Sequence, residues 1–393
     1  MQSEDSLTSL FARGIKKIDF LLPITSQYHA LHHFTRKIYE AFVRKGFSCR
    51  LIDANDHFGT PVKDPPDLTF GLNGAPFDEN RRMLCDIIKV PHFSYLIDPP
   101  YRFYEILSSP YMYVGCDDRY CCKFLETVDF YRTSFLPHGV DINLSPQLEH
   151  QKQFDAVFLA SFINYVDLRK EWMGYLPKIV SQTMDDAIDI TFSDGQTSFI
   201  EAFKFAYKDR MGLKDDPKSI GKDFVLPLIL LERYIKGKER TDLITSIPDT
   251  NVLLFNGHFK GQPGWESVLK DKHPNITLHD SVDYDTGVEM MKQSKVVLNS
   301  FSKNKEGAHD RVFNGLAAGA LVLTNQNTFM DAYFSDEENI LFYNPKDLSG
   351  INEKLKKYIS DDSLREEAAE KGRDEVMTRH TWDHRVEDLI KSN

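Results

Sequence analysis

The chain lacks several signatures that would assign a protein to a class at once. Its 393 residues contain only five cysteines, without a C-x-x-C pair or zinc-ligand spacing, and the odd count with an adjacent pair favours reduced thiols over a disulfide frame. No apolar run approaches the ~20 residues that span a bilayer, and no signal peptide is apparent. Neither G-x-x-x-x-G-K-[ST] nor G-x-G-x-x-G follows the first strand, which argues against P-loop and dinucleotide-oxidoreductase functions. We therefore expect a cytoplasmic protein without a transmembrane segment, and peripheral membrane contact is left open.

Positive charge is also scarce. The chain has 48 Lys and Arg residues against 59 Asp and Glu residues, which gives a net charge of −11. Proteins that bind nucleic acid non-specifically need a basic surface, so we expect no nucleic-acid partner. One local basic pocket would still be sufficient for a nucleotide ligand. The length suits two domains, and the 28 phenylalanines predict a core rich in aromatic rings.

Short apolar runs alternate with helical patterns along most of the chain. The predicted strands lie at 18–22, 48–52, 68–72, 92–97, 112–115 and 133–136, and then at 154–159, 251–255, 276–279, 296–298, 321–324 and 340–342. Helices are predicted between them, including one at 78–89, whereas 185–198 and 213–222 are predicted to be loops. Such alternation is typical of an α/β fold with two doubly wound parallel sheets.

One segment carries the clearest chemical signal. Residues 306–324 read EGAHDRVFNGLAAGALVLT, and they place His309 and Arg311 at the start of an Ala-rich helix that ends at Gly319. A helix N-terminus presents N–H groups that no carbonyl of the helix accepts, so this arrangement predicts an anion site, with phosphate as the candidate ligand. The alternative is a surface arginine paired with Asp310, next to a histidine that caps the helix.

The same segment resembles the sugar-nucleotide-binding segment of GT-B glycosyltransferases, especially the group-1 and spore-maturation CgeB-like branch. That family carries an R-x-F-(E/N)-x-x-A-x-G helix before a short strand, and the matching residues here are Arg311, Phe313, Asn314, Ala317 and Gly319. Larger group-1 members carry two glutamates eight positions apart. Glu306 matches the first glutamate, and Asn314 stands where the second would be.

The resemblance implies a GT-B fold, with two Rossmann-like domains facing an interdomain cleft. The sequence at 137–141 is similar to the P-x-G-V-D link that ends the first domain of that family, and the polar run at 145–153 is interpreted as a linker. We predict an acceptor-binding domain at 1–148, joined by a C-terminal helix at 380–393. The nucleotide-sugar-binding domain is predicted at 149–379, with a helical segment at about 168–246.

The resemblance further implies a hexosyltransferase-like glycosyltransferase, which we expect to be metal-independent. The donor would be a nucleoside-diphosphate sugar, with UDP favoured, and the unknown acceptor a hydroxyl or similar group on a glycan, protein or small molecule. The nucleotide sugar is a substrate, so no cofactor is expected. The donor contacts are predicted to come from His309, Arg311, Asn314, Glu306, Ser300, Asn299, Asn256 and Lys260. For Glu306 the alternative is an ordinary carboxylate in a lysine-rich loop.

Asp98 is the predicted catalytic base. It follows the strand at 92–97, and it resembles the H-D position at the rim of the first domain in related transferases, although Ile97 stands in place of the histidine. A carboxylate there can take the acceptor proton. An Asx turn or cap before the two prolines that follow is the alternative. Acceptor or cleft contacts are predicted at His29, His138 and Asp141, with turn and cap roles as their alternatives.

Metal binding is not predicted. The D-x-D pair at Asp283 and Asp285 could hold a divalent cation, but we interpret Asp283 as a cap, with Asp285 ahead of a helix at 286–293. Two other functions stay open. One is a sugar-nucleotide epimerase or hydrolase of GT-B fold, and the other is a catalytically inactive GT-B-like binding protein, which Asn314 favours.

Overall fold

The computed structural model describes residues 7–12, 14–146, 152–193, 195–214, 222–256, 264–301 and 303–391. The chain divides into two compact units, Met1–Ile142 together with Arg379–Asn393, and Asn143–Thr378. Each unit is built around its own parallel sheet.

The first unit consists of a parallel sheet with helices around it. Its strands are β1 (Lys17–Leu21), β2 (Ser48–Ile52), β3 (Leu68–Leu72), β4 (His92–Leu96), β5 (Met112–Cys116) and β6 (Thr133–Phe135). Its helices up to residue 142 are α1 (Leu7–Ala12), α2 (Ala30–Arg44), α3 (Thr60–Lys63), α4 (Leu84–Ile88) and α5 (Arg119–Glu126). In the described part of the chain the strand order is β2-β1-β3-β4-β5-β6, with every pair parallel.

Aromatic rings fill the centre of this unit. The ring centroids of Phe20 and Phe70 are 5.0 Å apart, and those of Phe70 and Phe93 are 5.3 Å apart. All residues of β3, β4 and β5 are buried, as expected for parallel strands that are covered on both faces. The predicted ring-rich core is therefore present.

The second unit repeats this architecture with more helices. Its strands are β7 (Phe154–Leu159), β8 (Val252–Asn256), β9 (Ile276–Asp280), β10 (Ser294–Leu298), β11 (Leu321–Asn325) and β12 (Leu341–Tyr343). Its helices are α6 (Tyr165–Tyr175), α7 (Lys178–Ser193), α8 (Phe199–Met211), α9 (Val225–Thr245), α10 (Glu266–Leu269), α11 (Tyr284–Lys292), α12 (Asp310–Ala317), α13 (Thr328–Asp331), α14 (Ile351–Ser360) and α15 (Asp362–Arg379). Over the described residues the strand order is β12-β11-β10-β7-β8-β9, again all parallel. The predicted fold of two doubly wound α/β sheets is confirmed.

The last helix, α16 (Trp382–Lys391), packs in the first unit. Trp382 is 1% exposed, and its ring centroid lies 6.0 Å from that of Phe34 on α2. The guanidinium of Arg44 donates two hydrogen bonds to Asp383, of 2.8 and 2.6 Å. Aromatic packing and a bidentate ion pair thus fix the C-terminal helix against α2.

Two local predictions are wrong: the first part of the loop predicted at 185–198 and the first part of the helix predicted at 78–89. Residues 185–193 form the second half of α7 rather than a loop, because Ala187, Ile188 and Thr191 are buried on one face of the helix. Acidic residues of this stretch form ion pairs with neighbouring helices, such as Asp185 with Arg169 at 2.8 Å. Residues 215–221 of the second predicted loop lie outside the described residues.

The helix predicted at 78–89 is confined to α4, which begins at Leu84. Before it, the Asp78 carboxylate accepts hydrogen bonds from the main-chain nitrogens of Asn80 and Arg82, at 2.9 and 2.8 Å. Arg81 has a φ of 60°, which a right-handed helix does not contain. Local hydrogen bonding by aspartate therefore replaces the first helical turn.

Close packing at Gly372 gives a test of the second unit. A Cβ atom at this α15 position would lie 2.7 Å from Cδ2 of Leu316 and even closer to the carbonyl oxygen of Asn339. We expect Gly372→Ala to lower the free energy of unfolding by ~1–3 kcal/mol, because the backbone carbonyl cannot move away without strain. Gly174→Ala in α6 is the matched control, since nothing lies within 4 Å of its Cβ. Urea unfolding of both variants is the measurement, and equal stabilities would contradict the packing described here.

Candidate functional site

The order of strands in the second sheet creates a switch point beside β7. From β7 the chain adds β8 and β9 on one side, and it then returns to add β10, β11 and β12 on the other. The carboxyl ends of β7 and β10 therefore flank the position where open parallel sheets bind ligands. The segment that leaves β10 at this position contains Asn299, Ser300, Glu306 and His309, and it leads into α12.

Arg311 lies in the first turn of α12. Its Nη1 donates to Oδ1 of Asn299 at 2.8 Å, and Nδ2 of Asn299 donates to Oγ1 of Thr324 at 2.8 Å. Because Asn299 is fully buried, these bonds tie the guanidinium to the carboxyl edge of the sheet. Burial lowers the pKa of Arg311 and the nearby Asp310 opposes that effect, but an arginine stays protonated in a protein. The switch point thus contains a permanent positive charge.

His309 precedes the first residue of α12. Its Nδ1 lies 2.7 Å from Oδ1 of Asp310 and 3.2 Å from the main-chain nitrogen of Arg311. A single ring nitrogen cannot donate to the first group and accept from the second. His309 is the N-cap residue of α12: with its proton on Nε2, the ring accepts the Arg311 N–H at Nδ1, which is the capping role that the sequence left open. When Nδ1 is protonated, the ring donates to Asp310 instead.

Asn314, Tyr284 and Asp310 form a hydrogen-bonded triangle behind this helix start. Nδ2 of Asn314 donates to the Tyr284 hydroxyl at 2.8 Å and to the Asp310 carbonyl at 2.9 Å. The Tyr284 hydroxyl donates to Oδ2 of Asp310 at 2.8 Å. Burial, together with the charge of Asp310, raises the pKa of Tyr284 well above its ordinary value. Both hydrogens of the Asn314 amide therefore donate within the unit. The predicted contact of Asn314 with the donor stays a prediction.

Tyr284 was missed by the sequence analysis because the start of α11 was predicted two residues too late. The cap is Asp283, whose carboxylate accepts from the main-chain nitrogen of Thr286 at 2.8 Å, and Asp285 lies in the first turn. Asp283 is therefore the cap, as expected, although the helix begins two residues earlier than predicted.

The lysines of the segment after β10 are buried. Lys305 is 2% exposed, and its Nζ donates to the carbonyl oxygen of Thr191 on α7 at 3.0 Å. Lys303 is 5% exposed, and its Nζ lies 3.5 Å from Oε1 of Glu232 on α9. Nζ of Lys236 lies 2.6 Å from the same oxygen. The helices between β7 and β8 thus hold this segment in place.

The other predicted donor residues lie at the same edge of the sheet or outside the described residues. Ser300 is 7% exposed, and Glu306 is half-buried in the segment that leads to α12. Asn256 is the last residue of β8, next to β7, and it is 3% exposed. Lys260 falls within 257–263, which lie outside the described residues. The structure thus brings Asn299 and Arg311 into direct contact, with Ser300 next to Asn299 in the chain.

The first sheet has its own switch point, between β1 and β3. Asp98 follows β4, the strand beside β3, and it is half-buried. Its Oδ2 accepts a hydrogen bond from Nδ2 of Asn73 at 2.9 Å. Asn73, which follows β3, was missed by the sequence analysis, because only the pairing of β3 with β4 brings the two residues together. The roles of Asp98 as a base and as a loop former both stay open.

A buried histidine supports the same loop. His92 is 0% exposed, with Nδ1 2.8 Å from Oγ1 of Thr69 and Nε2 3.0 Å from the carbonyl oxygen of Gly74. Burial lowers the pKa of His92 to about 4, so the ring is neutral at pH 7. A carbonyl can only accept, so Nε2 carries the proton and Nδ1 accepts from the threonine hydroxyl.

The structure does not bring the three predicted acceptor contacts together. His29 is exposed ahead of α2, with its ring centroid 5.6 Å from that of His32. His138 is 4% exposed, and its Nε2 lies 3.7 Å from Oδ2 of the equally buried Asp117. Asp141 forms an ion pair of 2.8 Å with Lys37 on α2. These placements favour structural roles for His138 and Asp141, which is the alternative that the sequence left open.

Three further findings concern the described residues as a set. Among them, no group of three or more His, Cys, Asp or Glu side chains is arranged to hold a metal ion. No helix in this part of the chain combines the length and the apolar character needed to cross a bilayer. All five cysteines are free thiols.

Comparison with solved structures identifies the fold. A sucrose-phosphate synthase from Thermosynechococcus elongatus superposes with a TM-score of 0.55 at 11% identity, over 95% of this chain and 97% of that one. Anabaena Alr3699/HepE in complex with UDP-glucose gives a TM-score of 0.53 at 10% identity, over 96% and 98%. The DNA-modifying enzyme β-glucosyltransferase, solved with and without uridine diphosphoglucose, gives 0.55 at 11% identity, over 96% and 99%. The chain therefore has the fold of GT-B glycosyltransferases.

Comparison of sequences assigns the enzyme class to one region. Residues 240–391 match the model of the family described as Glycosyl transferase-like. This region includes β8 to β12 and the whole of α12. No curated protein sequence matches the chain significantly. The predicted class of activity, a glycosyltransferase, is thus borne out by the region that contains Arg311.

The buried His92 predicts how stability depends on pH. Its pKa is about 4 when folded, against 6.5 for an ordinary histidine, so between these values the unfolded state binds a proton that the folded state does not. The contribution of neutral His92 to the free energy of unfolding is therefore fully present above about pH 6.5, and it is lost as the pH decreases towards 4. From about pH 7 to about pH 5 this one group lowers the free energy of unfolding by roughly 2 kcal/mol. In His92→Gln we expect a shallower decrease, measured by urea unfolding at both pH values. Parallel pH dependences of the wild type and this variant would contradict the assignment.

Proposed function

We propose that the protein transfers a sugar from a UDP-sugar to a hydroxyl or similar group on a glycan, protein or small molecule. The observation that carries this proposal is the position of Arg311. Its guanidinium lies at the N-terminus of α12, at the switch point of the second sheet, inside the region that matches glycosyl transferases. The likeness of residues 306–324 to the CgeB-like branch of GT-B enzymes supports placing the protein there.

The proposed donor site combines a fixed charge with main-chain dipoles. Asn299 accepts from one of the five N–H groups of the Arg311 guanidinium, and the others can address a diphosphate. The N–H groups of the first turn of α12 add donors that point out of the helix. Negative charge develops on the UDP leaving group as the glycosidic bond breaks, so these donors also stabilise the transition state. The preference for UDP is supported by the solved neighbours that contain UDP-glucose.

The proposed base belongs to the first unit. Asp98 lies after β4, next to the switch point of that sheet, and its carboxylate is oriented by Asn73. A carboxylate within hydrogen-bond distance of the acceptor hydroxyl can take its proton as the new bond forms. His29 is the proposed acceptor contact in the loop after β1. No step in this scheme needs a metal ion.

Arg311→Ala should weaken binding of UDP. We expect the Kd to rise on the order of 10- to 100-fold, because a charge-assisted hydrogen bond contributes about 1.5–3 kcal/mol. Arg311→Lys should recover part of the affinity, since it keeps the charge but not the planar fork of donors. Isothermal titration with UDP is the measurement. Arg210→Ala is the control, since this arginine pairs with Asp186 in the helical layer, and equal affinities in the two alanine variants would refute the site.

Asp98→Asn should separate binding from turnover. We expect an unchanged Kd for UDP and a turnover that falls on the order of 10²- to 10⁴-fold, because the amide cannot accept the acceptor proton. The matched control is Asp129→Asn, an aspartate in a loop of the same unit. Initial rates with a UDP-sugar and a reactive acceptor are the measurement. Wild-type turnover in Asp98→Asn would remove it as the base.

A donor and acceptor panel distinguishes this proposal from its rivals. The protein is incubated with UDP-, GDP- and dTDP-sugars, alone and with glycan, protein, small-molecule and DNA acceptors, and products are identified by mass spectrometry. A glycosylated product supports the transferase. Nucleotide release or sugar isomerisation without an acceptor indicates a hydrolase or epimerase. Donor binding without turnover indicates an inactive binding protein, the function that Asn314 would favour.

A further inference from the structure

Asn73 has a backbone conformation that few residues adopt. Its φ is 52°, and the next residue, Gly74, has a φ of 129°. Asparagine enters the left-handed region more readily than most residues, but the conformation still carries strain, which persists only where the surroundings enforce it. The two residues follow directly after β3, at the carboxyl edge of the first sheet.

Three buried side chains enforce this conformation. The Gly74 carbonyl accepts hydrogen bonds from Nε2 of His92 and from the Ser94 hydroxyl, both at 3.0 Å. The Gly74 nitrogen donates to the same hydroxyl oxygen at 2.9 Å. Thr69 holds the other nitrogen of the His92 ring. Since Thr69, His92 and Ser94 are all 0% exposed, the loop is fixed from inside the sheet.

The side chain of Asn73 forms hydrogen bonds with the two residues that follow β4, Ile97 and Asp98. Its Oδ1 accepts from the main-chain nitrogens of Ile97 at 3.0 Å and of Asp98 at 3.3 Å. Its Nδ2 donates to Oδ2 of Asp98 at 2.9 Å. The first two bonds fix the backbone, and the third fixes the rotation of the carboxylate. A residue that only formed a turn would not need the third bond.

We propose that Asn73 is a positioning residue for catalysis, which orients the Asp98 carboxylate towards the acceptor hydroxyl. This inference rests on the proposed function, in which Asp98 is the base. The amide engages one carboxylate oxygen, Oδ2, and thereby directs the other oxygen to the proton that is transferred. A proton transfer requires this geometry within hydrogen-bond distance, so loss of the amide affects the chemical step more than the binding of either substrate.

Two substitutions at Asn73 separate orientation from folding. Asn73→Gly keeps the backbone conformation accessible and removes the amide, so we expect kcat to fall on the order of tenfold or more, with the KM for the donor unchanged. Asn73→Asp keeps an oxygen for the two main-chain donors but places a second carboxylate against Asp98. We expect the acid limb of its kcat–pH profile to move to higher pH by roughly one unit or more, because neighbouring carboxylates favour the protonated form.

The controls make the outcomes distinguishable. Asp129, with a φ of 60°, is another left-handed residue of the first unit, and Asp129→Gly should leave kcat unchanged. In an Asp98→Asn background, Asn73→Gly should lower the residual rate no further, since both changes act on the same group. If Asp98→Asn loses turnover while both Asn73 variants keep the wild-type kcat and pH profile, the positioning role alone is overturned. If Asp98→Asn keeps full turnover, the proposed base and this inference fail together.

Discussion

The hydrogen bond between Arg311 and Asn299 is the interaction on which the candidate donor site depends. A half-buried guanidinium must keep polar partners, because burial without them would cost several kcal/mol. Asn299 supplies an oxygen at 2.8 Å from inside the sheet, and its own amide group is satisfied by Thr324. The hydrogen bond therefore fixes the positive charge at the carboxyl edge of β10, although arginine side chains are otherwise flexible. This is the arrangement that an anionic leaving group requires.

The helices between β7 and β8 support this edge from a second side. Lys305 reaches the carbonyl oxygen of Thr191 on α7, while Lys303 and Lys236 share Glu232 on α9. A buried carboxylate between two ammonium groups is stable only as long as all partners stay in place. The segment that carries Ser300, Glu306 and His309 is thus part of the packed interior of the second unit.

Both sheets have their candidate site at the carboxyl edge beside the switch point, but the side chains at the two edges differ in chemistry. In the second unit the switch point presents a cation and a helix N-terminus, which suit an anion. In the first unit the loop after β3 and the residue after β4 present an amide and a carboxylate, which suit a hydroxyl group. Parallel strands place all such loops at one edge, because every strand ends on the same side of the sheet. In the proposed function, the difference between donor and acceptor chemistry would depend on only a few side chains at that edge.

The sequence alone determined the two parallel sheets and the start of α12, because strand burial and helix starts are local patterns. It did not identify Asn73 or Tyr284. Asn73 meets Asp98 across 25 positions, and Tyr284 meets Asp310 across 26. It also misjudged 185–193, since ion pairs with other helices made an acidic stretch compatible with α7. Only the tertiary structure decided these points, because strand order and register bring together side chains whose local sequence contains no sign of their partners.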